Sequence, residues 1–173
     1  RQIELGGHVH DIGKIGVREE VLNKPGALTV EEYDHIMTHP LVGWRILAPL
    51  LGEAPVALNI VRSHHERWDG RGIPDGLAGE KIPLEARIAA AADALDAMTS
   101  GRPYRGSLLT MDAALSELQH NVGTQFDAHV VRAVLEAFSR GELRLIPSER
   151  ALGERTAYSV QRTGETAPFK QAS

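Results

Sequence analysis

The sequence predicts an all-helical fold, and composition, residue spacing and helix-end signals all indicate it. Aromatic residues make up only 5% of the 173-residue chain, whereas Ala and Leu, which are strong helix formers, are plentiful. Apolar residues recur at the spacing of an amphipathic helix in several stretches. We therefore expect packed helices rather than a sheet sandwich, in a chain long enough for one domain with its own core.

The first elements are predicted helices whose boundaries are set by glycine, threonine and proline. Residues 1–12 are expected to be the last turns of a helix that ends at Gly13. Thr29 begins the next helix, because its hydroxyl can accept an amide hydrogen bond while Glu32 returns one to the threonine amide. Pro40 lies inside the apolar stripe that follows, so we expect it to kink or break that helix.

The rest of the chain is predicted to alternate helices with one long loop. Pro55 opens a helix that runs to His64 and His65. Residues 69–83 are rich in glycine and proline but also carry apolar residues that can anchor them, so we expect an ordered, functional loop. The remaining predicted helices are Leu84–Met98, 111–121 and 128–139, the last with Asp127 as its cap.

Composition excludes several classes of protein. The formal net charge is -4 without a dense Lys/Arg block, which argues against binding polymeric nucleic acid because duplex affinity depends on many basic residues. The absence of cysteine excludes disulfides and thiolate-bound metals, and a reducing cytoplasm is the expected location. No apolar run approaches the ~18 residues of a membrane span, so we expect no membrane insertion.

We divide the chain into a domain over residues 1–146 and a polar tail or linker over 147–173. The tail is aperiodic and polar, which is typical of poorly ordered segments. The sequence opens on Arg1 and has no signal-peptide pattern. We therefore expect a fragment of a longer protein.

Histidines and aspartates recur where helices are predicted to run or end. The residues are His10, Asp11, His39, His64, His65 and Asp93. Imidazole nitrogen and carboxylate oxygen suit zinc, iron or manganese, and two such ions close together hydrolyse phosphoesters. Each residue alone also fits a buried histidine or a helix-end aspartate. Asp93 lies in an alanine-rich helix, where an unpaired buried carboxylate is costly, so a metal or an arginine such as Arg87 or Arg102 should face it.

Three basic residues are candidates for binding a phosphate ligand. Lys14 follows Asp11 by three residues, so its ammonium can reach a phosphate oxygen near the metals or remain a solvated helix-end lysine. Arg102 and Arg105 flank a Pro-Tyr turn and can form forked hydrogen bonds to phosphate or to a purine edge. The alternative for both arginines is a solvated turn.

The chain resembles the HD-GYP phosphodiesterases in four motifs. These are HDIGKIG from His10, KPGALT from Lys24, HHERWDGRGIPDGL from His64 and ADALDAMTSGRPY from Ala92. The resemblance covers residues 8–140 and implies a helical bundle of the HD superfamily with two or three divalent metal ions. Iron is the metal most often implied, and manganese or zinc are alternatives. The implied reaction is hydrolysis of the bacterial second messenger cyclic di-GMP to pGpG or GMP.

Position by position, the resemblance assigns roles to the candidates above. The implied metal ligands are His10, Asp11, His39, His64, His65 and Asp93. Asp11 and Lys14 are the implied catalytic residues, with Lys14 contacting phosphate, and Arg102 and Arg105 are implied to contact the ligand. The loop at 70–76 matches the region implicated in docking to diguanylate-cyclase (GGDEF) domains, and a fused sensor or receiver domain is expected in the full protein.

Two departures from the family pattern leave rival functions open. The signature Gly-Tyr-Pro is Gly72-Ile73-Pro74 in this chain, which puts partner docking or one ligand contact in question. Family members also supply a histidine, sometimes with a glutamate, from a helix upstream of the His10 position, and in this chain we expect it to be truncated. The rivals are a non-catalytic module that binds cyclic di-GMP or a cyclase partner without cleavage, and an HD hydrolase acting on another nucleotide.

Overall fold

The computed structural model describes residues 1–100 and 109–143, and within these ranges the chain is helical. The α-helices are α1 Gln2–Val9, α2 Glu19–Leu22, α3 Val30–Ile36, α4 His39–Leu47, α5 Pro55–Ser63, α6 Leu84–Thr99, α7 Met111–His120 and α8 Ala128–Ser139. Two 3-10 helices are added at Ile12–Gly16 and Gly79–Lys81. No strand occurs in the described ranges, where β-type pairing is limited to isolated bridges. The predicted all-helical fold is confirmed.

Helix starts follow the predicted local chemistry. Thr29 caps α3 through its hydroxyl, which accepts from the Glu32 amide at 3.2 Å, and the Glu32 carboxylate accepts from the Thr29 amide at 2.7 Å. Pro40 lies in the first turn of α4, so the predicted break places His39 at the beginning of a new helix. Pro55 opens α5 as predicted.

The predicted helix over residues 1–12 is wrong at its C-terminal end. The α-helix ends at Val9, and Gly13 lies inside the 3-10 helix that follows. Gly13 does not stop a helix. It allows close packing, because a Cβ atom there would lie 1.9 Å from the His39 carbonyl oxygen and 2.5 Å from the Gly43 amide nitrogen.

The helix α5 organises the N-terminal half. The helices α1, α4 and α6 all pack against it, and the 3-10 helix Ile12–Gly16 packs against α4. Ala57, Ile60 and Val61 on its buried side have no exposed surface. The close approach of α1 requires Gly6, where a Cβ would lie 2.7 Å from an Ile60 methyl group. The ends of α1 and α5 and the start of α4 are thereby brought together.

The helix α6 joins this half to a second apolar cluster. Its buried face contributes Ala91, Ala94, Leu95 and Met98, which pack with α7 and α8. The predicted helices at 84–98, 111–121 and 128–139 are confirmed to within one residue at each end. The loop over 69–83 is ordered and anchored by Ile82, which is 2% exposed.

Some predictions fall outside the described residues. Arg102 and Arg105 lie within 101–108, and the tail at 147–173 lies beyond residue 143, so these remain predictions. Among the helices of the described part, none combines the length and apolar character that crossing a membrane requires.

Candidate metal centre

Five of the six predicted donors converge from the ends of α1 and α5 and the start of α4 into two overlapping groups, and Asp93 belongs to neither group. One group contains His39, His64 and His65, and the other contains His10, Asp11 and His64. In each group, one potential ligand atom from every residue lies within 4.8 Å of the others. His64 belongs to both groups, so the two sites are neighbours rather than separate pockets. Residues up to 55 positions apart in sequence therefore form one cluster of donors.

The histidines at the centre present unprotonated nitrogens to each other. The Nδ1 atom of His39 lies 2.9 Å from the Ile36 carbonyl oxygen, and Nδ1 of His64 lies 3.0 Å from that of Ile60. A carbonyl only accepts, so both Nδ1 atoms donate a hydrogen, and each neutral ring keeps a lone pair on Nε2. The two Nε2 atoms are 3.2 Å apart. Two imidazole nitrogens at this distance are joined by a shared proton or by a metal cation, and the carboxylate of Asp11 beside them makes the arrangement fit a metal ion.

Asp11 lies between the two groups of donors. One carboxylate oxygen is 3.3 Å from Nε2 of His39, and the other is 3.5 Å from Nε2 of His10. The second oxygen also accepts a hydrogen bond from the Lys14 ammonium at 2.7 Å. Burial alone would raise the pKa of Asp11, but the charges of Lys14 and His10 and the hydrogen bond from Lys14 hold it well below its usual range. A permanently ionised carboxylate with one oxygen on each side can bridge two cations.

The imidazoles differ in protonation. Burial lowers the pKa of His64 to about 3, and burial together with the neighbouring imidazole of His64 holds the pKa of His65 well below its usual range. Both rings are neutral at pH 7, as metal ligands must be. Burial would also lower the pKa of His10, but hydrogen bonding to Asp93 and the charges of Asp11 and Asp93 raise it to about 8.

Asp93 lies at the edge of the cluster. Its Oδ1 atom is 3.7 Å from Nε2 of His10, and its side chain is 21% exposed. Of the partners considered from the sequence, Arg87 is wrong, because its guanidinium donates to Asp127 at 2.6 Å. Arg102 lies outside the described residues. Among the described residues, Asp93 faces His10, which is itself a candidate ligand.

Glu66 is a buried acid beside the candidate ligands, and sequence reasoning gave it no role of its own. Its side chain is 3% exposed, and its two oxygens accept hydrogen bonds from the amides of Asp75 at 2.7 Å and Leu77 at 2.9 Å. No local pattern predicts these bonds, because the amides lie nine and eleven residues further along the chain. The available signal is the position of the acid, which immediately follows two predicted ligands.

The glycine-rich loop folds back onto the end of α5. The Ile73 amide donates to the His65 carbonyl at 3.1 Å, and a Cβ atom at Gly72 would lie 2.3 Å from the backbone nitrogen of Arg67. Arg62 forms two hydrogen bonds of 2.8 Å to the Asp75 carboxylate. The loop is thus fixed from both sides of residues 72–75.

A small cavity of about 20 Å³ lies beside the cluster. It is lined by His64, His65, Glu66, Arg67, Ala90, Asp93 and Gln125. This volume suits a water molecule with polar partners on several sides. Side chains from α6 and from the turn between α7 and α8 therefore lie at the edge of the candidate centre, where they line this cavity.

Comparison with known proteins gives one family for most of the described chain. A family model described as "HD domain" matches residues 1–130. The cyclic di-GMP phosphodiesterase response regulator RpfG of Xanthomonas campestris is 47% identical over 136 residues, covering 78% of this chain and 36% of that protein. A cyclic di-GMP phosphodiesterase of Thermotoga maritima is 40% identical, with 78% and 37% covered.

Relatives named for a different cyclic dinucleotide also match. The 3'3'-cGAMP-specific phosphodiesterase 3 of Vibrio cholerae is 36% identical, covering 82% of this chain and 29% of that protein. A crystal structure of a cyclic GMP-AMP-specific phosphodiesterase from V. cholerae superposes with a TM-score of 0.54 at 21% identity, covering 90% of this chain and 44% of that one. The superposition supports the fold alone. The chain spans between 29% and 37% of the length of the RpfG, T. maritima and V. cholerae relatives that it matches in sequence.

Proposed function

The chain belongs to the HD-domain family, in its HD-GYP group, and on this basis we propose that it is a metal-dependent phosphodiesterase that hydrolyses cyclic di-GMP to pGpG, GMP or both. One observation carries the proposal. The lone pairs of His39 and His64 face each other at 3.2 Å, with the ionised Asp11 beside them. Such a cluster is built for cations, and paired divalent cations act on phosphoesters.

Each donor has a proposed role in holding metal. The residues that would hold the metal are His10, Asp11, His39, His64, His65 and Asp93, and the two oxygens of Asp11, which face His10 and His39, would let it contribute to both donor groups. When bound, divalent ions supply Lewis-acid polarisation and a lowered pKa of water. The imidazole and carboxylate donors suit iron, which we propose as the physiological metal, and also accept manganese or zinc. Two ions are supported by the two donor groups.

The side chains around the donors would bind and neutralise the substrate. The Lys14 ammonium lies 2.7 Å from Asp11, and this proximity supports a role in neutralising charge that develops on a phosphoryl oxygen. The backbone carbonyls that hold Nδ1 of His39 and His64 keep those rings fixed during the reaction. Arg102 and Arg105 are proposed to contact the nucleotide.

The wider assignments follow the same proposal. Residues 1–146 are proposed as the catalytic domain and 147–173 as a tail, within a longer cytoplasmic protein that carries a sensor or receiver domain. The loop at 70–76 is proposed to dock a diguanylate-cyclase domain. Its fixed conformation supports a recognition role, since a rigid surface loses little entropy on binding.

Two alternatives have specific support. Ile73 in place of tyrosine favours a module that binds cyclic di-GMP without cleaving it. The relatives named for 3'3'-cGAMP favour a second substrate on the same centre. Both alternatives retain the metal cluster and differ in the fate of the nucleotide.

The proposal is tested with the 173-residue chain loaded anaerobically with iron(II) or with manganese(II). Cyclic di-GMP and 3'3'-cGAMP are incubated separately and followed by chromatography. We expect linear products from cyclic di-GMP, and a loss of turnover of about 100-fold or more in Asp11→Asn, because an amide cannot offer two anionic oxygens to a pair of ions. Asp34→Asn, on the exposed surface of α3, is the matched control and should retain activity.

The outcomes separate the alternatives. Intact cyclic di-GMP recovered bound to metal-loaded protein supports the binding module. Cleavage of 3'3'-cGAMP alone reassigns the substrate. Absence of stoichiometric iron, manganese or zinc from reconstituted protein refutes the proposal.

A further inference from the structure

We propose that Glu66 is a positioning residue whose buried carboxylate fixes the loop 70–79 onto the end of α5 and thereby holds His65 in the geometry for binding metal. The inference rests on the proposed metal centre. It adds Glu66, whose described side-chain hydrogen bonds are with backbone amides of the loop and not with the candidate metal ligands.

The need for such a residue follows from where α5 ends. The last helical residue is Ser63, and His64 follows as the helix cap, with its ring held by carbonyls of the helix. His65 lies one residue further on, beyond the helical hydrogen bonds. Its ring nevertheless packs with centroid distances of 4.2 Å to His64 and 4.9 Å to His39. The backbone at His65 is held to α5 by a turn hydrogen bond from the Glu66 amide to the Ser63 carbonyl at 3.0 Å, so a further constraint from outside α5 would fix it more firmly.

The loop supplies that constraint. The Ile73 amide donates to the His65 carbonyl at 3.1 Å, which ties the peptide of this donor to the loop. Gly72 packs so closely on the following peptide that a Cβ atom would lie 2.4 Å from the Cα atom of Glu66. The position of His65 is thus coupled to the conformation of residues 72–73.

Glu66 holds the loop in this conformation. Its Oε1 accepts from the Asp75 amide at 2.7 Å and its Oε2 from the Leu77 amide at 2.9 Å, so both oxygens are used. Bonds from amides to a carboxylate are stronger than neutral ones, and the side chain is 3% exposed, which limits competition from water. The carboxylate therefore joins the residue next to His65 directly to the far side of the turn.

A second brace exists but is weaker. Arg62 binds the carboxylate of Asp75 with two bonds of 2.8 Å and stacks 4.8 Å from the centre of the Trp44 ring. Both charged side chains of this pair are about one third exposed, so solvent screens it. The buried Glu66 is therefore expected to dominate the positioning of the loop.

The test compares Glu66→Gln with Glu32→Gln. A glutamine at 66 has one acceptor oxygen, so its NH2 group must face one of two amide donors. Glu32 is a matched control, because it also accepts a backbone amide at 2.7 Å but lies in the capping box of α3. Two readouts are needed: hydrogen exchange of the Asp75 and Leu77 amides, and affinity for manganese(II) alone, measured from the free-ion electron paramagnetic resonance signal.

The expected result is faster exchange at both amides in Glu66→Gln and manganese affinity lower by about 10- to 100-fold, the usual effect of losing a partner that orients a ligand. Glu32→Gln should leave affinity unchanged even if it lowers the melting temperature. If Glu66→Gln does not fold, Glu66→Asp keeps the charge but is one methylene shorter, and a smaller loss of affinity is expected.

The inference is overturned if exchange accelerates in the folded Glu66 variant while manganese affinity equals that of wild type. It is also overturned if both glutamine variants lose affinity in proportion to their loss of stability, since that is a general structural effect. Wild-type protein that binds no manganese, iron or zinc refutes the metal proposal instead, and the exchange data still report whether Glu66 holds the loop.

Discussion

At the scale of single residues, His10 differs from the other donors in its electrostatic surroundings. Its Nε2 atom lies 3.5 Å from Asp11 and 3.7 Å from Asp93, and its side chain is 17% exposed. Two carboxylates stabilise its imidazolium form, whereas burial keeps His64 neutral. With its pKa raised to about 8, His10 changes its charge within the physiological pH range.

Metal-free protein should lose stability as pH rises through about 8. Burial lowers the pKa of His10, but the bond to Asp93 and nearby charges raise it from 6.5 to about 8. Because the pKa of His10 is raised in the folded protein, its protonation stabilises the fold by about 2 kcal/mol at pH values below 6.5, the pKa in the unfolded chain. This stabilisation is lost as the pH rises above the folded-state pKa. Urea unfolding in chelator at pH 6 and pH 9 measures it as the change in the stability difference between wild type and His10→Gln, because neutral His64 and His65, whose pKa values are lowered, add stability over the same range in both proteins.

His10→Gln should remove this pH dependence, whereas His120→Gln, on the exposed end of α7, should keep it. Parallel stability profiles for wild type and His10→Gln would show that the carboxylates do not stabilise the imidazolium.

The sequence was sufficient to predict which side chains lie together, with Asp93 at the edge, but not how they are held. His39 and His64 were identifiable because the ligand residue types recur near predicted helix ends. The orientation of each ring depends on carbonyls of the preceding turn, which becomes known only with the helix geometry. The partner of Arg87 was not predictable, because Asp127 lies 40 residues away on a helix whose packing decides the pairing. Glu66 was missed for the same reason.

At the scale of elements, the close contact between the 3-10 helix Ile12–Gly16 and α4 brings the first donors to the others. Capping and proline signals predicted the starts of α3, α4 and α5, since those signals are local. The glycine signal failed at residues 10–16, where a distant contact determines the backbone. Gly13 is needed there because the backbone of α4 leaves no room for a Cβ atom.

Gly13→Ala should destabilise the protein by about 3 kcal/mol, in the upper range for overpacking, because the added methyl group meets the His39 carbonyl and the Gly43 amide, neither of which can rotate away. It should also weaken manganese binding, since Asp11 precedes the displaced segment. Urea unfolding and manganese titration measure the two effects.

Gly7→Ala is the control, and it should change the stability in the opposite direction to Gly13→Ala. No atom lies within 4 Å of a Cβ placed there, and the residue is inside α1. Alanine should therefore stabilise the helix by about 0.5 to 1 kcal/mol. Equal stability of the two alanine variants would contradict the close contact at Gly13.

At the scale of the whole molecule, the candidate centre is built by the N-terminal helices but braced by the C-terminal ones. The amides of Trp68 and Asp69 donate to the carbonyls of Gln125 and Thr124 in the turn between α7 and α8. The ion pair between Arg87 and Asp127 joins α6 to the start of α8. The two halves are thus connected through the segment that follows the His64-His65 pair.

Asp127→Asn should reduce stability by about 3 kcal/mol at pH 7, because it leaves the largely buried Arg87 without a counter-charge. Burial raises the pKa of Asp127, but the His129 amide and Arg87 outweigh it and lower the pKa below 3.8. Because the pKa of Asp127 is lowered in the folded protein, the ionised carboxylate stabilises the fold at pH values above the unfolded-state pKa. This stabilisation is lost as the pH falls through the folded-state pKa.

The gap between wild type and Asp127→Asn should therefore narrow below about pH 4 in urea unfolding. Asp112→Asn, exposed at the start of α7, controls for loss of one negative charge. A gap that stays constant down to pH 2 would show that the ion pair does not set the stability of α8.

The two tryptophans of the chain lie beside the Arg62–Asp75 and Arg87–Asp127 ion pairs, so their intrinsic fluorescence can report on each pair separately. Trp44 is stacked by the guanidinium that binds Asp75, and Trp68 faces the guanidinium that binds Asp127. Emission from the first ring follows release of the loop, and emission from the second follows separation of α8. Single Trp→Phe variants would therefore resolve the two events by fluorescence without an attached dye.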